Sequence, residues 1–210
     1  LARALSFGTG HLSLYQLTIE PGTRFATLVR DGAFAPLGDD VAADLFALTR
    51  EMTACAGRPA YEISTPARPG EESRHNLTYW RYEDYCGIGP GAHGRRGGIA
   101  TVRHRKPENW LAAVARAGDG IAEARAFAPG EQAAEALLMG LRLAEGIDLA
   151  GLSARLGLAT ADLVDTDRAA FLERQGLVWR KAGRLGVAPE GMAVLDAVLA
   201  EIVPGALVAA

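Results

Sequence analysis

His75-Asn76-Leu77-Thr78-Tyr79-Trp80, followed by Asp84-Tyr85-Cys86-Gly87-Ile88-Gly89-Pro90-Gly91-Ala92-His93-Gly94, is the stretch from which the rest of the chain is read. A histidine, an amide and two large aromatics stand just ahead of a glycine-built turn. Imidazole can ligate a metal or move a proton at neutral pH. Tyrosine and tryptophan add flat surfaces with one polar tip each. Together they suit a planar, partly apolar ligand. A buried aromatic pair beside a histidine satisfied by backbone is the other reading of the same residues.

His75-Asn76-Leu77-Thr78-Tyr79-Trp80 resembles the HNLxYW pattern of HemW-type haem chaperones, relatives of the oxygen-independent coproporphyrinogen III oxidases. The flanks agree: His11-Leu12-Ser13-Leu14-Tyr15-Gln16-Leu17-Thr18-Ile19-Glu20-Pro21-Gly22 upstream, then Tyr61-Glu62-Ile63-Ser64, then Gly87 to Gly94. The match runs in order from about Ser13 to the C-terminus and is dense up to His93. The resemblance implies an α/β fold: the C-terminal part of an open (β/α) barrel of the radical S-adenosylmethionine type, then a small helical, winged-helix-like domain. It implies a haem chaperone that binds haem and passes it to an acceptor protein. The alternative within the family is an oxidase that decarboxylates the propionates of a tetrapyrrole.

By that resemblance His75 is the residue linked to haem, and a neutral imidazole is a suitable axial ligand to haem iron. Asn76 orients the imidazole or bonds its own backbone, and Tyr79 and Trp80 stack on the porphyrin; core packing is the other role for both aromatics. Thr18 and His93 fall where the related oxidases hold S-adenosylmethionine. Radical S-adenosylmethionine proteins also hold a 4Fe–4S cluster through a Cys-x-x-x-Cys-x-x-Cys run, which the family places near its N-terminus. This sequence has only Cys55 and Cys86. Without three thiolates the chain by itself holds no such cluster and should carry out no radical chemistry. Nor is there a Cys-x-x-Cys-His for covalent haem attachment.

The whole composition is that of a globular protein, with 49% hydrophobic and 22% charged residues. A net charge of −3 is too slight to point to nucleic acid or an anionic membrane. Two distant cysteines suggest a reduced, cytoplasmic protein. No leader opens the chain, and the apolar run from Val194 to Ala210 is broken by Asp196, Glu201, Pro204 and Gly205. The start at Leu1, without methionine, reads like the end of a helix, and Ser13–Ile19 reads like an interior parallel strand. Such a strand needs neighbours on both sides, so the chain reads as the C-terminal part of a longer protein.

In order, residues 1–117 form the first region. A loop from Pro21 to Pro36 precedes a helix capped by Asp39 or Asp40 and running through Val41, Leu45, Leu48 and Met52. Gly57 and Pro59 end it, and Tyr61–Ser64 is a short strand, giving strand–helix–strand and hence a parallel sheet. Asp84–Ile88 and Ile99–Arg103 read as strands, the second within a hairpin, and Pro107 opens a helix through Trp110, Leu111 and Val114. Residues 118–128 read as a linker to a second domain, 129–210. There helices at Glu131–Leu143, Asp148–Leu156 and Ala161–Gln175 precede a hairpin, Leu177–Arg180 with Leu185–Val187, and a last helix after Pro189.

Three further readings belong to the sequence. Gly89-Pro90-Gly91-Ala92-His93-Gly94 satisfies G-x-G-x-x-G but lacks the helix a dinucleotide fold needs, so small residues for close backbone approach are the better account. The winged-helix arrangement raises a DNA-binding or interaction module. Its reading helix carries Asp162, Asp165, Asp167 and Glu173 against Arg168 and Arg174, which disfavours phosphate contact. Glu20, Glu62 and Asp84 lie near strand ends, His11 and His104 are isolated, and Cys86 reads as a small buried residue.

Overall fold

Local chemistry sets the elements of the computed structural model, which describes residues 1–208 as two units, Leu1–Ser73 and the part from Arg74 onward. In the first unit, helix α1 spans Ala2–Ser6, α2 Arg24–Arg30 and α3 Asp39–Cys55. Asp39 and Asp40 lie in the first turn of α3, where carboxylates favour the positive helix end, and the N-cap position itself is Gly38. Gly57, at φ +74°, lets the chain turn out of α3. The segment read as a loop from Pro21 contains α2, whose cap Thr23 accepts the Ala26 N–H at 3.3 Å.

The strand–helix–strand reading needs correction. Among the described residues Ser13–Ile19 joins no ladder; His11 and Ala67 form an antiparallel bridge, and Leu12 and Leu14 N–H donate to Pro66 and Ser64 carbonyls at 3.0 Å each. Tyr61–Ser64 lies inside the small bridge Ala60↔Pro66 and is not a strand. Pro66 lacks the N–H that would return a bond, so the pairing stops after a few residues. Tyr15 and Leu17 stay 78% and 55% exposed. The buried side chains of this unit include Thr53, Arg58, Glu62 and Thr65, with Ala67 the small apolar member.

The second unit opens with α4, Arg74–Trp80. Strands β1 (His93–Arg96), β2 (Ile99–Arg103) and β3 (Ile121–Ala126) make an antiparallel sheet in that order, with His93 opposite Val102. The hairpin expected around Ile99–Arg103 is therefore present. Helix α5, Pro107–Ala117, connects β2 to β3 with proline in its first turn and Gly118 in the left-handed region at its end. Residues 118–128, read as a linker, instead supply β3. Asp84–Ile88 contributes one bridge, Tyr85↔Arg95, in place of the expected strand; Cys86 and Ile88 are exposed, so the burial expected of Cys86 does not hold.

From there the chain builds α6 (Pro129–Gly140), β4 (Ile147–Asp148), α7 (Leu149–Leu156), α8 (Thr160–Leu163), α9 (Thr166–Arg174), β5 (Val178–Lys181) and β6 (Arg184–Val187). A 3-10 turn at Gly191–Val194 leads to α10 (Leu195–Ile202) and α11 (Gly205–Val208). The hairpin β5–β6 is joined by β4 on the outer side of β6, all antiparallel. Leu137, Leu141, Leu143, Leu163, Leu185 and Ile202 are at most 1% exposed and form the core. The helix expected over Ala161–Gln175 is two: Val164 is extended, and Asp165 caps α9 by accepting the N–H groups of Asp167 and Arg168 at 3.1 and 2.9 Å. Ala209 and Ala210, the end of the expected second domain, lie outside the described residues. The division between units falls at Ser73, which groups residues 74–117 with the helical region.

Candidate functional site

The whole His75–Trp80 motif lies on α4. Helical phase sorts its members: residues four apart share a face, whereas His75 and Trp80, five apart, point about 140° from each other. The rings follow. His75 meets Tyr79 edge-on, centroids 4.7 Å apart at 79°, and Tyr79 meets Tyr85 edge-on at 4.5 Å and 70°. The His75 side is exposed, and neither of its ring nitrogens has a hydrogen-bond partner among the described residues. Glu71 and Glu72 are engaged elsewhere, with Arg68 and with the Gly70 N–H. Asn76 is half-buried and engaged. Trp80 turns away to a groove of about 470 Å³ that it shares with Gly140, Leu143, Ile147 and Leu152, and the Arg142 guanidinium sits 5.9 Å from its ring. The structure thus joins His75 to Tyr79, separates Trp80 from both, and adds Tyr85. Tyr85 lies within the stretch that drew attention in the sequence, but its contact with Tyr79 depends on the Tyr85↔Arg95 bridge.

The C-terminal end of α4 is tied down. Tyr82, 5% exposed and at φ +55°, donates its hydroxyl proton to Glu135 at 2.7 Å. The Arg95 guanidinium covers its ring at 3.4 Å, pairs with Glu135 at 3.7 Å and donates to the Glu83 carbonyl at 3.1 Å. Arg155 donates to the Tyr82 carbonyl at 3.3 Å, and Arg81 grips Glu145 through two bonds of 2.9 and 3.0 Å. Burial, then the bond to Glu135, pushes the Tyr82 phenol upward, and burial raises that of Tyr85. The Arg81 bond holds Glu145 below the ordinary carboxylate value. A phenolate at Tyr82 or Tyr85 is therefore disfavoured.

The glycine turn serves the chain's own packing. A Cβ on Gly87 would collide with the His93 carbonyl, and one on Gly94 would lie 2.8 Å from Gly87 N and Thr101 Oγ1. Arg103 donates to the Gly87 carbonyl, closing the turn from the other side. His93 is exposed at the start of β1. Thr18, also exposed, belongs to the first unit. There it lines a cavity of about 820 Å³ walled by Leu14, Ile19, Phe34, Leu45, Phe46 and Ile63. Glu62 is 2% exposed and is raised by burial, against the pull of Ser64 and Arg50. Asp84 accepts the Gly97 N–H at 2.9 Å. His11 bonds the Tyr61 hydroxyl at 3.0 Å.

Among the described residues no group of three or more His, Cys, Asp or Glu side chains converges on a metal position. The two cysteines cannot supply the three thiolates of a 4Fe–4S cluster. A metalloporphyrin makes a smaller demand, one imidazole and an apolar wall, and His75 with Tyr79 fits it. On the winged-helix side, Glu173 of α9 is engaged by Arg180 at 2.5 Å, Asp165 caps the helix, and Arg168 pairs with Glu201 at 3.4 Å.

Antiparallel hairpins beside a helical, winged-helix-like region define an α/β protein with the fold of the oxygen-independent coproporphyrinogen oxidases. A solved structure described as "Coproporphyrinogen III oxidase (HemN) from Escherichia coli is a Radical SAM enzyme" superimposes with a TM-score of 0.70 over 95% of this chain and 49% of that one, at 16% identity. Residues 127–194 match the HemN C-terminal domain. The "Heme chaperone HemW" of Mycobacterium tuberculosis (strain ATCC 25618 / H37Rv) is 34% identical over 196 residues, 93% of this chain and 48% of that protein. The Mus musculus "Radical S-adenosyl methionine domain-containing protein 1, mitochondrial" is 36% identical over 204 residues, 92% of this chain and 46% of that one. The chain belongs to the HemN/HemW family, corresponding to its C-terminal portion, and spans about half the length of the curated relatives it matches.

Proposed function

We propose that this chain is the haem-carrying portion of a HemW-type chaperone that holds haem at His75 and delivers it to an acceptor protein. The observation that carries the reading is an exposed imidazole, with no hydrogen-bond partner at either nitrogen among the described residues, backed edge-on by Tyr79. One nitrogen would ligate iron, and Tyr79 would present an apolar wall beside the ring. Haem, when bound, would supply the iron centre that is handed to the acceptor. Asn76, engaged on the same helix, would keep the imidazole's neighbourhood ordered. Trp80 has another task, walling its own groove. By resemblance alone, Thr18 and His93 would each contact S-adenosylmethionine, and a 4Fe–4S cluster would need thiolates that this chain does not supply. Among the described residues no helix is long and apolar enough to cross a membrane, and the unpaired cysteines suit the cytoplasm.

Titration of the full-length protein with ferric haem should give a Soret band that saturates with one equivalent bound per chain. His75→Ala should abolish the shift or weaken binding by about tenfold or more. Unchanged titration in His75→Ala overturns the reading. Turnover of coproporphyrinogen by the full-length protein would replace it with the oxidase.

A further inference from the structure

Histidines that ligate metals ordinarily donate their other N–H to a carboxylate or carbonyl, which fixes tautomer and ring plane. His75 has no such partner among the described residues. What restrains it is a column of rings. Tyr79 lies against it at 4.7 Å, Tyr85 against Tyr79 at 4.5 Å, and the Arg95 guanidinium 5.5 Å from the Tyr85 ring. The far end of the column is fixed. Tyr85 and Arg95 exchange both backbone bonds, at 2.7 and 2.9 Å, and Arg95, 8% exposed, is held by Glu135 and the Glu83 carbonyl.

We infer that Tyr85 is a positioning residue for His75, setting the imidazole plane through Tyr79 by edge contacts in place of a hydrogen bond. The inference rests on the haem reading above and extends it. An imidazole oriented by packed rings keeps both nitrogens available to a ligand. Without a hydrogen-bonded support it would hold iron less tightly than a histidine that has one, which suits a ligand that must be surrendered. The ring of Tyr85 carries this role and its hydroxyl does not, since no hydrogen bond of that hydroxyl is present among the described residues.

The test uses the full-length protein and two readouts. In haem-free protein, Tyr85→Leu should move the NMR resonances of the His75 ring protons, because the Tyr79 ring current shifts with its support, while Tyr85→Phe should leave them in place. With ferric haem, Tyr85→Leu should weaken binding about tenfold and change the low-spin EPR signature, and Tyr85→Phe should stay within about twofold of the parent. If Tyr85→Leu does not fold, Tyr85→Met fills the volume without a ring edge and should give the same result. Unmoved His75 resonances in the Leu or Met variant overturn the inference, as does a Phe variant as impaired as Leu. If the parent fails to bind haem while the resonances do move, the haem reading fails and the ring coupling stands.

Discussion

Glu62 is a carboxyl removed from water in the first unit, 2% exposed. It accepts the Ser64 N–H at 3.1 Å and the Ser64 hydroxyl at 3.3 Å, but burial outweighs both and raises its pKa. A raised carboxyl binds its proton more tightly in the folded state. Its contribution to stability is complete below the unfolded value and is lost as pH rises through the folded one. Urea unfolding from roughly pH 4 upward should therefore show a declining contribution that Glu62→Gln flattens, leaving the variant more stable than the parent at neutral pH. A steeper decline in Glu62→Gln would contradict this. Tyr82 offers a second measure. Tyr82→Phe keeps the ring beneath Arg95 and removes the donor to Glu135, and should lower unfolding free energy by about 1.5–3 kcal/mol in urea titrations. At this scale the sequence put His75, Asn76, Tyr79 and Trp80 into one set, and the His75–Tyr79 contact came from the structure. The sequence grouped Trp80 with the others because adjacency in a motif says nothing of helical phase until the motif is known to be a helix.

Element by element, strong local chemistry was legible and weak local chemistry was not. Helix α3 with its acidic first turn, α5 with its opening proline and the β5–β6 hairpin around Gly183 lie where composition and punctuation indicated. The split between α8 and α9 was not visible, because apolar periodicity continues across it. It is made by a distant group: the Asp165 N–H donates to the Ile202 carbonyl at 2.9 Å, and Val164 is buried in extended conformation. Asp165→Ala should cost about 1 kcal/mol by removing the α9 cap. Guanidinium unfolding with unchanged slope would measure it, and a change within error would show the cap to be redundant. Ser13–Ile19 failed as a strand for the complementary reason. Its β-prone residues are present, but a strand exists only where a second backbone answers its donors and acceptors.

Over the whole molecule the two units differ in what they bury. The second has a continuous aliphatic core of Leu137, Leu141, Leu143, Leu163, Leu185 and Ile202, whereas the buried side chains of the first are small or polar. Leu137→Ala should destabilise the second unit by about 2–5 kcal/mol. In native-state hydrogen exchange, amides of residues 11–67 should exchange well before those of α6, β5 and β6, since local opening is governed by buried apolar contact. Equal protection in both units would refute that. By itself the sequence determined the family, the α/β class and helices such as α3, α5 and α7, all of which reside in short-range residue patterns. Tertiary structure alone decided that Trp80 faces another groove, that Tyr85 completes the column behind His75, and that the glycine turn closes on its own backbone. Each of these depends on distances that the local residue pattern leaves open, and such distances are set by packing.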